Sequence, residues 1–358
     1  MTYKNTVITG TGVGTPKVVK RNSDFLANSF YDKDGTIIQD EPKNIVDKFE
    51  QITGINERRY AADSTLSSDL GTIAARQAIA EAGVDAETLD YIILAQNFGD
   101  VKNNTIQTDM LPSVASRVKH NLGIKNPECV AYDIIFGCPG WIQGMIQADI
   151  FIKAGVAKKC LVLGTETLSR VVDPHDRDSM IFADGAGAMV VELREEETER
   201  GILGHKALTH TLEEAYYLYL GASNLPGSDE NVRYIKMDGR KIYEYALNEV
   251  PKAMKVCLDA TGHNLSEVKK IFIHQANEKM DEAIVKRLFK LYGNTDFNLN
   301  IMPMNIHELG NSSVATIPTL YHQVTHGEKF PHEVHPGDLV MMASVGAGMN
   351  INAIVYRL

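Results

Sequence analysis

The chain repeats itself, and that repeat restricts its possible folds more than any single motif. Gly83-Val-Asp-Ala-Glu-Thr-Leu-Asp-Tyr-Ile-Ile-Leu-Ala-Gln96 has a counterpart in Gly262-His-Asn-Leu-Ser-Glu-Val-Lys-Lys-Ile-Phe-Ile-His-Gln275. Lys159-Cys-Leu-Val-Leu, with the later Gly185-Ala-Gly-Ala-Met-Val-Val, parallels Leu339-Val-Met-Met-Ala and Gly346-Ala-Gly-Met-Asn-Ile-Asn. Each half alternates strand and helix patterns and ends in hairpin-like strands. Internal similarity of this kind implies duplicated α/β halves packed back to back. The charged run Arg194–Arg200 reads as a solvated turn at the seam, dividing the chain into residues 1–195 and 196–358.

Within this frame the helix and strand signals are conventional. Leu70–Ala82 and Pro112–Leu122 read as helices closed by Gly83 and Gly123. Tyr91–Ala95, Cys160–Leu163 and Ala188–Leu193 read as strands, and Lys241–Ala260 as a helix kinked or divided at Pro251. Residues 211–230, with Tyr216, Tyr217 and Tyr219, form either a lid over a channel or a surface loop. The glycine-rich residues 6–16 miss the dinucleotide spacing and run into Pro16, so they read as a strand and loop. Asp32-Lys-Asp-Gly35 lacks the rest of a calcium loop and reads as a turn.

Composition excludes whole classes of function. No run of about 18 apolar residues is present, so no membrane span is expected. The first residues lead into a short strand and not an apolar signal region, which points to a cytoplasmic protein. Cys129, Cys138, Cys160 and Cys257 form no CxxC pair, as suits a reducing compartment without a zinc framework. A net charge of −10 argues against general nucleic-acid affinity, and an acidic partner would need a local basic patch.

Chemistry concentrates at Ala131-Tyr-Asp-Ile-Ile-Phe-Gly-Cys-Pro-Gly-Trp141. The apolar run Val130–Phe136 reads as a buried strand, Gly137 as a tight turn and Pro139 as the first position of a helix. Trp141, Ile142, Met145, Ile146, Ile150 and Ile152 put apolar residues on most faces of that helix, so it is expected to be buried and to end at Gly155. Cys138 thus sits at a strand-to-helix elbow beside a helix N-terminus, where a thiol pKa falls and the thiolate is favoured. A structural buried cysteine is the alternative. His274 lies just past a strand and Asn311 at a glycine turn before a helix. Taken singly, these read as a core histidine and a helix cap; taken with Cys138, they resemble a Cys-His-Asn site.

With Thr53-Gly-Ile-Asn-Glu-Arg58, Asp173-Pro-His-Asp-Arg177, Asp184-Gly-Ala-Gly187, Lys236-Met-Asp-Gly239, His274-Gln-Ala-Asn277 and Gly310-Asn-Ser-Ser313, the chain resembles the ketoacyl synthase III family of condensing enzymes over nearly its whole length. Val345-Gly-Ala-Gly-Met-Asn350 lacks the second cysteine of thiolases, and Asn311 stands where elongating synthases have a second histidine. The resemblance implies an α/β, thiolase-like fold of two duplicated βαβαβαββ halves in a five-layered αβαβα structure, assembled as a homodimer. It also implies Cys138, His274 and Asn311 as catalytic residues, with the backbone of Cys138 and Ala347 as oxyanion hole. Arg170 and Asn277 are implied as substrate or coenzyme A contacts. Substrates would be coenzyme A or acyl-carrier-protein thioesters, with no metal or redox cofactor. The implied reaction joins an acyl starter to a malonyl or 3-oxoacyl carrier-protein thioester with loss of carbon dioxide. Three alternatives stand beside it: a ketosynthase joining two acyl chains into a resorcinol-like product, an acyltransferase that does not condense, and a silent partner subunit. The usual aromatic and arginine contacts to coenzyme A are replaced by Lys48 and Ile52, and residues 30–44 read as an insertion. The starter could therefore arrive on either carrier.

Just past His274, Glu278–Leu291 reads as an amphipathic helix with Met280, Ile284, Leu288 and Leu291 along one stripe. Lys279, Lys286 and Arg287, which coincide with the family's carrier-docking residues, and Lys290 lie on its other side. Without the resemblance this would read as a solvated helix.

Overall fold

The computed structural model describes residues 2–294 and 298–358. Strand β1 (Tyr3–Val13) is followed by an excursion through β2 (Val18–Arg21), α1 (Pro42–Thr53) and β3 (Glu57–Tyr60). The first half then continues as α2 (Ser67–Ala82), β4 (Tyr91–Ala95), α3 (Val114–Leu122), β5 (Val130–Ile134), α4 (Gly140–Lys153), β6 (Lys159–Thr167) and β7 (Asp184–Glu196). The second half runs β8 (Gly201–Thr209), β9 (Leu218–Gly221), β10 (Tyr234–Met237), α5 (Gly239–Ala260), β11 (Val268–Ile273), α6 (Glu278–Leu291), α7 (Ile306–Leu309), α8 (Thr316–Thr325), β12 (Leu339–Gly346) and β13 (Asn350–Arg357). Two mixed sheets result, ordered β1-β7-β6-β4-β5 and β8-β13-β12-β11. The orders match strand for strand until the end, where the second sheet has no described partner for β5. A short 3-10 turn, Leu299–Ile301, lies in that part of the second half.

Three apolar cores explain the layering. Trp141, Met145 and Ile152 of α4 pack with Leu320, Tyr321 and Val324 of α8 between the sheets, against Val162 on one side and Met342 on the other. Helices α2 and α3 cover the outer face of the first sheet, and α5 and α6 that of the second. The stack is therefore αβαβα, with each sheet buried on both faces, and its central strands are accordingly near-continuous apolar runs. Pro251 lies inside an uninterrupted α5; it neither divides nor ends the helix.

The glycine-rich segment has a packing role. Side chains at alternate strand residues share a face, about 6.8 Å apart, close to the 6 Å between every fourth residue of a helix. Cβ atoms at Gly10, Gly12 and Gly14 would lie 2.2, 2.1 and 2.3 Å from the carbonyl oxygens of Ala78, Ala74 and Leu70. Only glycine lets α2 lie this close on β1.

Two burial expectations fail. Strand β5 is the edge of its sheet, so Val130 is 46% exposed and Ile135, just past it, 63%. On α4, Ile150 is half exposed although most of the helix is enclosed. Apolar composition cannot distinguish an edge strand from a central one.

Candidate active site

Gly137, with φ of 66°, turns the chain from β5 into α4 and leaves Cys138 half-buried at the bend. The loop between β12 and β13 closes on this elbow. A Cβ at Gly137 would sit 2.6 Å from the Ala347 nitrogen, and one at Gly346 would sit 2.5 Å from the Cys138 nitrogen. Glycine at both positions lets the 346–347 backbone lie directly against the 137–138 backbone.

Two further polar side chains reach the same space from the second half. His274 follows β11, anchored by its N–H to the Ala343 carbonyl at 2.8 Å. Its imidazole is 4% exposed and Nδ1 has no partner; burial lowers the ring pKa to about 4, so it is neutral at physiological pH. Asn311 is pinned to the chain beside Phe182 by bonds of its N–H to the Ile181 carbonyl (3.0 Å) and of its carbonyl to the Ala183 N–H (2.8 Å). Its Oδ1 accepts from the Ser313 N–H at 2.8 Å, which leaves Nδ2 as the free donor. It therefore both closes its own turn and lines a cavity. Cys138, His274 and Asn311 together line a 60 Å³ cavity whose remaining wall is largely apolar. Cys138 also lines a second, 200 Å³ cavity with Phe98, Leu168, Tyr219, Leu220 and Ile235. The β9–β10 hairpin supplies Leu218 to both, so part of the 211–230 segment is a cavity wall.

Behind the thiol lies a polar cluster that the sequence reading missed. Glu166, at the end of β6, is 1% exposed and accepts from Asn97 Nδ2 at 2.5 Å; Asn97 also reaches the Ser313 hydroxyl at 3.3 Å and accepts from the Gly137 N–H at 3.1 Å. Burial pushes the Glu166 carboxyl up to about 8. The same burial pushes the Cys138 thiol up to about 11, with Glu166 adding to the rise and the Ser313 hydroxyl opposing it. This runs against the expectation of a favoured thiolate, and desolvation is the largest cause. An acid at the end of the apolar run Cys160-Leu-Val-Leu-Gly-Thr-Glu166 was the available signal.

The other motifs brace these walls. Lys236 Nζ reaches Asp173 at 2.5 Å, Asp176 at 3.0 Å and Asn224 at 2.7 Å in a buried cluster that fastens β10 to the 173–177 loop. Arg58 is fully buried, donating to the Met180 and Lys20 carbonyls and to Asn22. Arg170 is 8% exposed and donates to the Ala62 carbonyl at 2.9 Å, so its guanidinium is held inside the fold. Asn277 caps α6 through the Met280 N–H at 3.1 Å. On α6, Lys279, Lys286 and Lys290 are exposed, with Lys286 3.3 Å from Glu282. Arg287 is tied to α5 by the Leu247 carbonyl and Asn248. Leu291 is 44% exposed, while Val285 joins Met280, Ile284 and Leu288 in the core.

Residues 132–210 match the family model described as 3-oxoacyl-[acyl-carrier-protein (ACP)] synthase III, and residues 258–358 match its C-terminal model. A beta-ketoacyl-[acyl-carrier-protein] synthase III of Rhodospirillum centenum is 32% identical over 357 residues, covering 98% of each chain. The crystal structure of 3-oxoacyl-[acyl-carrier-protein] synthase III from Aquifex aeolicus superposes with a TM-score of 0.78 at 32% identity, covering 99% of this chain and 100% of that one. The priming beta-ketosynthase of the R1128 polyketide pathway shares the fold, with a TM-score of 0.79 at 23% identity over 99% of this chain and 96% of its own.

Proposed function

Because this chain belongs to the 3-oxoacyl-[acyl-carrier-protein] synthase III family of condensing enzymes, which are acyltransferases, we propose that it joins an acyl starter to a malonyl carrier-protein thioester in fatty acid biosynthesis. The observation that carries this reading is the convergence of Cys138, His274 and Asn311 on one cavity, with Cys138 also open to a second.

Cys138 sulfur attacks the starter carbonyl and the starter's thiol leaves, taking the cysteine proton in net terms; one difficult step becomes two easier ones. The N–H groups of Cys138 and Ala347 hold the tetrahedral oxyanion. The malonyl thioester then loses carbon dioxide, and negative charge builds on its thioester oxygen. Neutral His274 and Asn311 Nδ2 donate N–H bonds to that oxygen without the repulsion of a carboxylate. The carbanion attacks acyl-Cys138, and the sulfur leaves and regains a proton. In this scheme the small cavity takes the malonyl end and the larger apolar one the acyl chain.

The carrier protein meets the exposed lysines of α6, since an acidic partner approaching a chain of net charge −10 needs a local cationic patch. A homodimer is supported by the open edge of β5 and by the apolar groups beside it. Gln147 accepts from the Tyr132 hydroxyl at 2.7 Å, and exposed Ile150 lies one turn further along α4. No helix among the described residues is long and apolar enough to cross a membrane.

Two apolar cavities meeting at one cysteine also suit an enzyme that joins two acyl chains. One experiment separates the readings: purified protein is incubated with acyl-coenzyme A and acyl-carrier-protein panels, Cys138 acylation is read by intact mass, and malonyl or 3-oxoacyl carrier protein is then added. Release of a 3-oxoacyl carrier protein from the malonyl substrate supports the first. A product containing both chains supports the second, and absence of any acyl-Cys138 overturns both.

A further inference from the structure

A cluster of metal-ligating side chains lies outside both cavities. His322 and His326, one turn apart at the C-terminal end of α8, face Glu81 in the last turn of α2, and one potential ligand atom from each lies within 4.8 Å of the other two. Residue 311 precedes the opposite end of α8, and none of the three residues lines either cavity. The close packing of α2 on β1 allowed by Gly10 and Gly12 brings Glu81 within reach of Thr11.

The hydrogen bonds assign the ring protons. His326 Nδ1 is 2.8 Å from the His322 carbonyl, which can only accept, so Nδ1 carries the hydrogen. Its Nε2 then carries a lone pair and lies 3.3 Å from Glu81 Oε1. Glu81 Oε2 accepts from both the N–H (3.0 Å) and the hydroxyl (2.9 Å) of Thr11. The Thr11 hydroxyl hydrogen is thereby used, so His322 Nδ1, 2.7 Å from Thr11 Oγ1, must donate to it. His322 Nε2 is left as an acceptor, met by a long 3.3 Å contact from the Gln77 amide, whose oxygen is held by the Val13 N–H.

Nε2 of His322, held only by that long contact, Nε2 of His326 and Oε1 of Glu81 thus remain as ligand atoms. A proton between His326 and Glu81 would satisfy two of them and make no use of the third. We propose that Glu81, His322 and His326 form a binding site for a divalent transition-metal ion of the zinc type. Two imidazoles and one carboxylate are a donor set that suits zinc and not calcium or magnesium. In metal sites each ligating histidine almost always gives its other N–H to an oxygen acceptor, and here the His322 carbonyl and Thr11 play that part. The bound ion ties α2, on the outer face of the first sheet, to α8 in the middle layer, across the edge strand β1.

The test uses tag-free protein, stripped with a chelator, with Cys138 capped by iodoacetamide so that its thiol cannot ligate. Zinc uptake is followed by calorimetry and by the rise in melting temperature. One ion should bind per chain. Glu81→Gln and His326→Gln, both at exposed positions, should weaken binding at least about tenfold and abolish the thermal shift. Thr11→Val, which leaves all three ligands in place, should weaken it by about 10–100-fold. Cobalt bound in place of zinc should show a visible absorption spectrum that these variants lose. No zinc uptake by the parent overturns the proposal, as does uptake that Glu81→Gln and His326→Gln leave unchanged, which would assign the ion to other side chains.

Discussion

Asn311→Asp should separate the two proposed half-reactions, because the two atoms of the carboxamide have different tasks in the proposed scheme. Oδ1 accepts from the Ser313 N–H, and a carboxylate oxygen preserves that bond, so the 310–313 turn should persist. Nδ2 is replaced by an oxygen that cannot donate when ionised. Loss of one oxyanion donor typically costs about 10²–10³ in rate, or roughly 2.7–4 kcal/mol. Repulsion between that carboxylate and the developing enolate adds to the loss, up to about 4 kcal/mol at 4 Å with an effective dielectric of 20. Malonyl decarboxylation should therefore fall by at least about 10². Cys138 acylation should fall by less than about tenfold, since its oxyanion is held by main-chain donors. The site is enclosed, with Asn311 4% exposed, so burial raises the introduced carboxyl above its usual range. Decarboxylation should then partly recover as pH falls and the neutral acid becomes a donor. Carbon dioxide release from malonyl carrier protein and intact-mass acylation bursts, both followed across pH, measure the two half-reactions. Equal losses in both would make Asn311 a structural cap and refute the division of roles, and unchanged decarboxylation would remove it from the chemistry. Asn311→Ala calibrates the turn bond to the Ser313 N–H, worth about 1 kcal/mol of stability.

Other outcomes test the remaining parts of the site. Iodoacetamide should label Cys138 and spare Cys129, Cys160 and Cys257, which are at most 1% exposed; with the thiol held up near 11, labelling should quicken about tenfold per pH unit through the alkaline range. Mass mapping checks the order, and preferential labelling of another cysteine would contradict it. Gly346→Ala should slow acylation by up to about 10²–10³, because its Cβ would press on the Cys138 nitrogen; an unchanged acylation burst would mean that the 346–348 loop does not form the oxyanion hole. Lys236→Met strands Asp173 and Asp176 as buried charges and should cost about 3–5 kcal/mol in denaturant unfolding. A loss under about 1 kcal/mol would show that the cluster is solvated.

The repeat, the strand-to-helix elbow at Cys138 and the motifs around His274 and Asn311 were legible because they are local. A glycine turn, an apolar strand pattern and a helix start are each written in about ten consecutive residues. The duplicated halves likewise follow from comparing one stretch with another. The charge environment of the thiol was not legible. Glu166, Asn97 and Ser313 come from three distant segments, and only their packing together encloses the Cys138 thiol and raises its pKa by desolvation. Position within the sheet was equally invisible, because β5 and β4 are similar apolar runs although one is an edge and the other is enclosed. Gly10, Gly12 and Gly14 were visible as a pattern but not as a contact, since their spacing acquires meaning only when α2 lies across them. What the sequence by itself determined was the sequence of elements and the chemical groups they carry. Burial, strand neighbours and the meeting of Glu81, His322 and His326 depend on which distant segments come together, and the tertiary structure alone decided those.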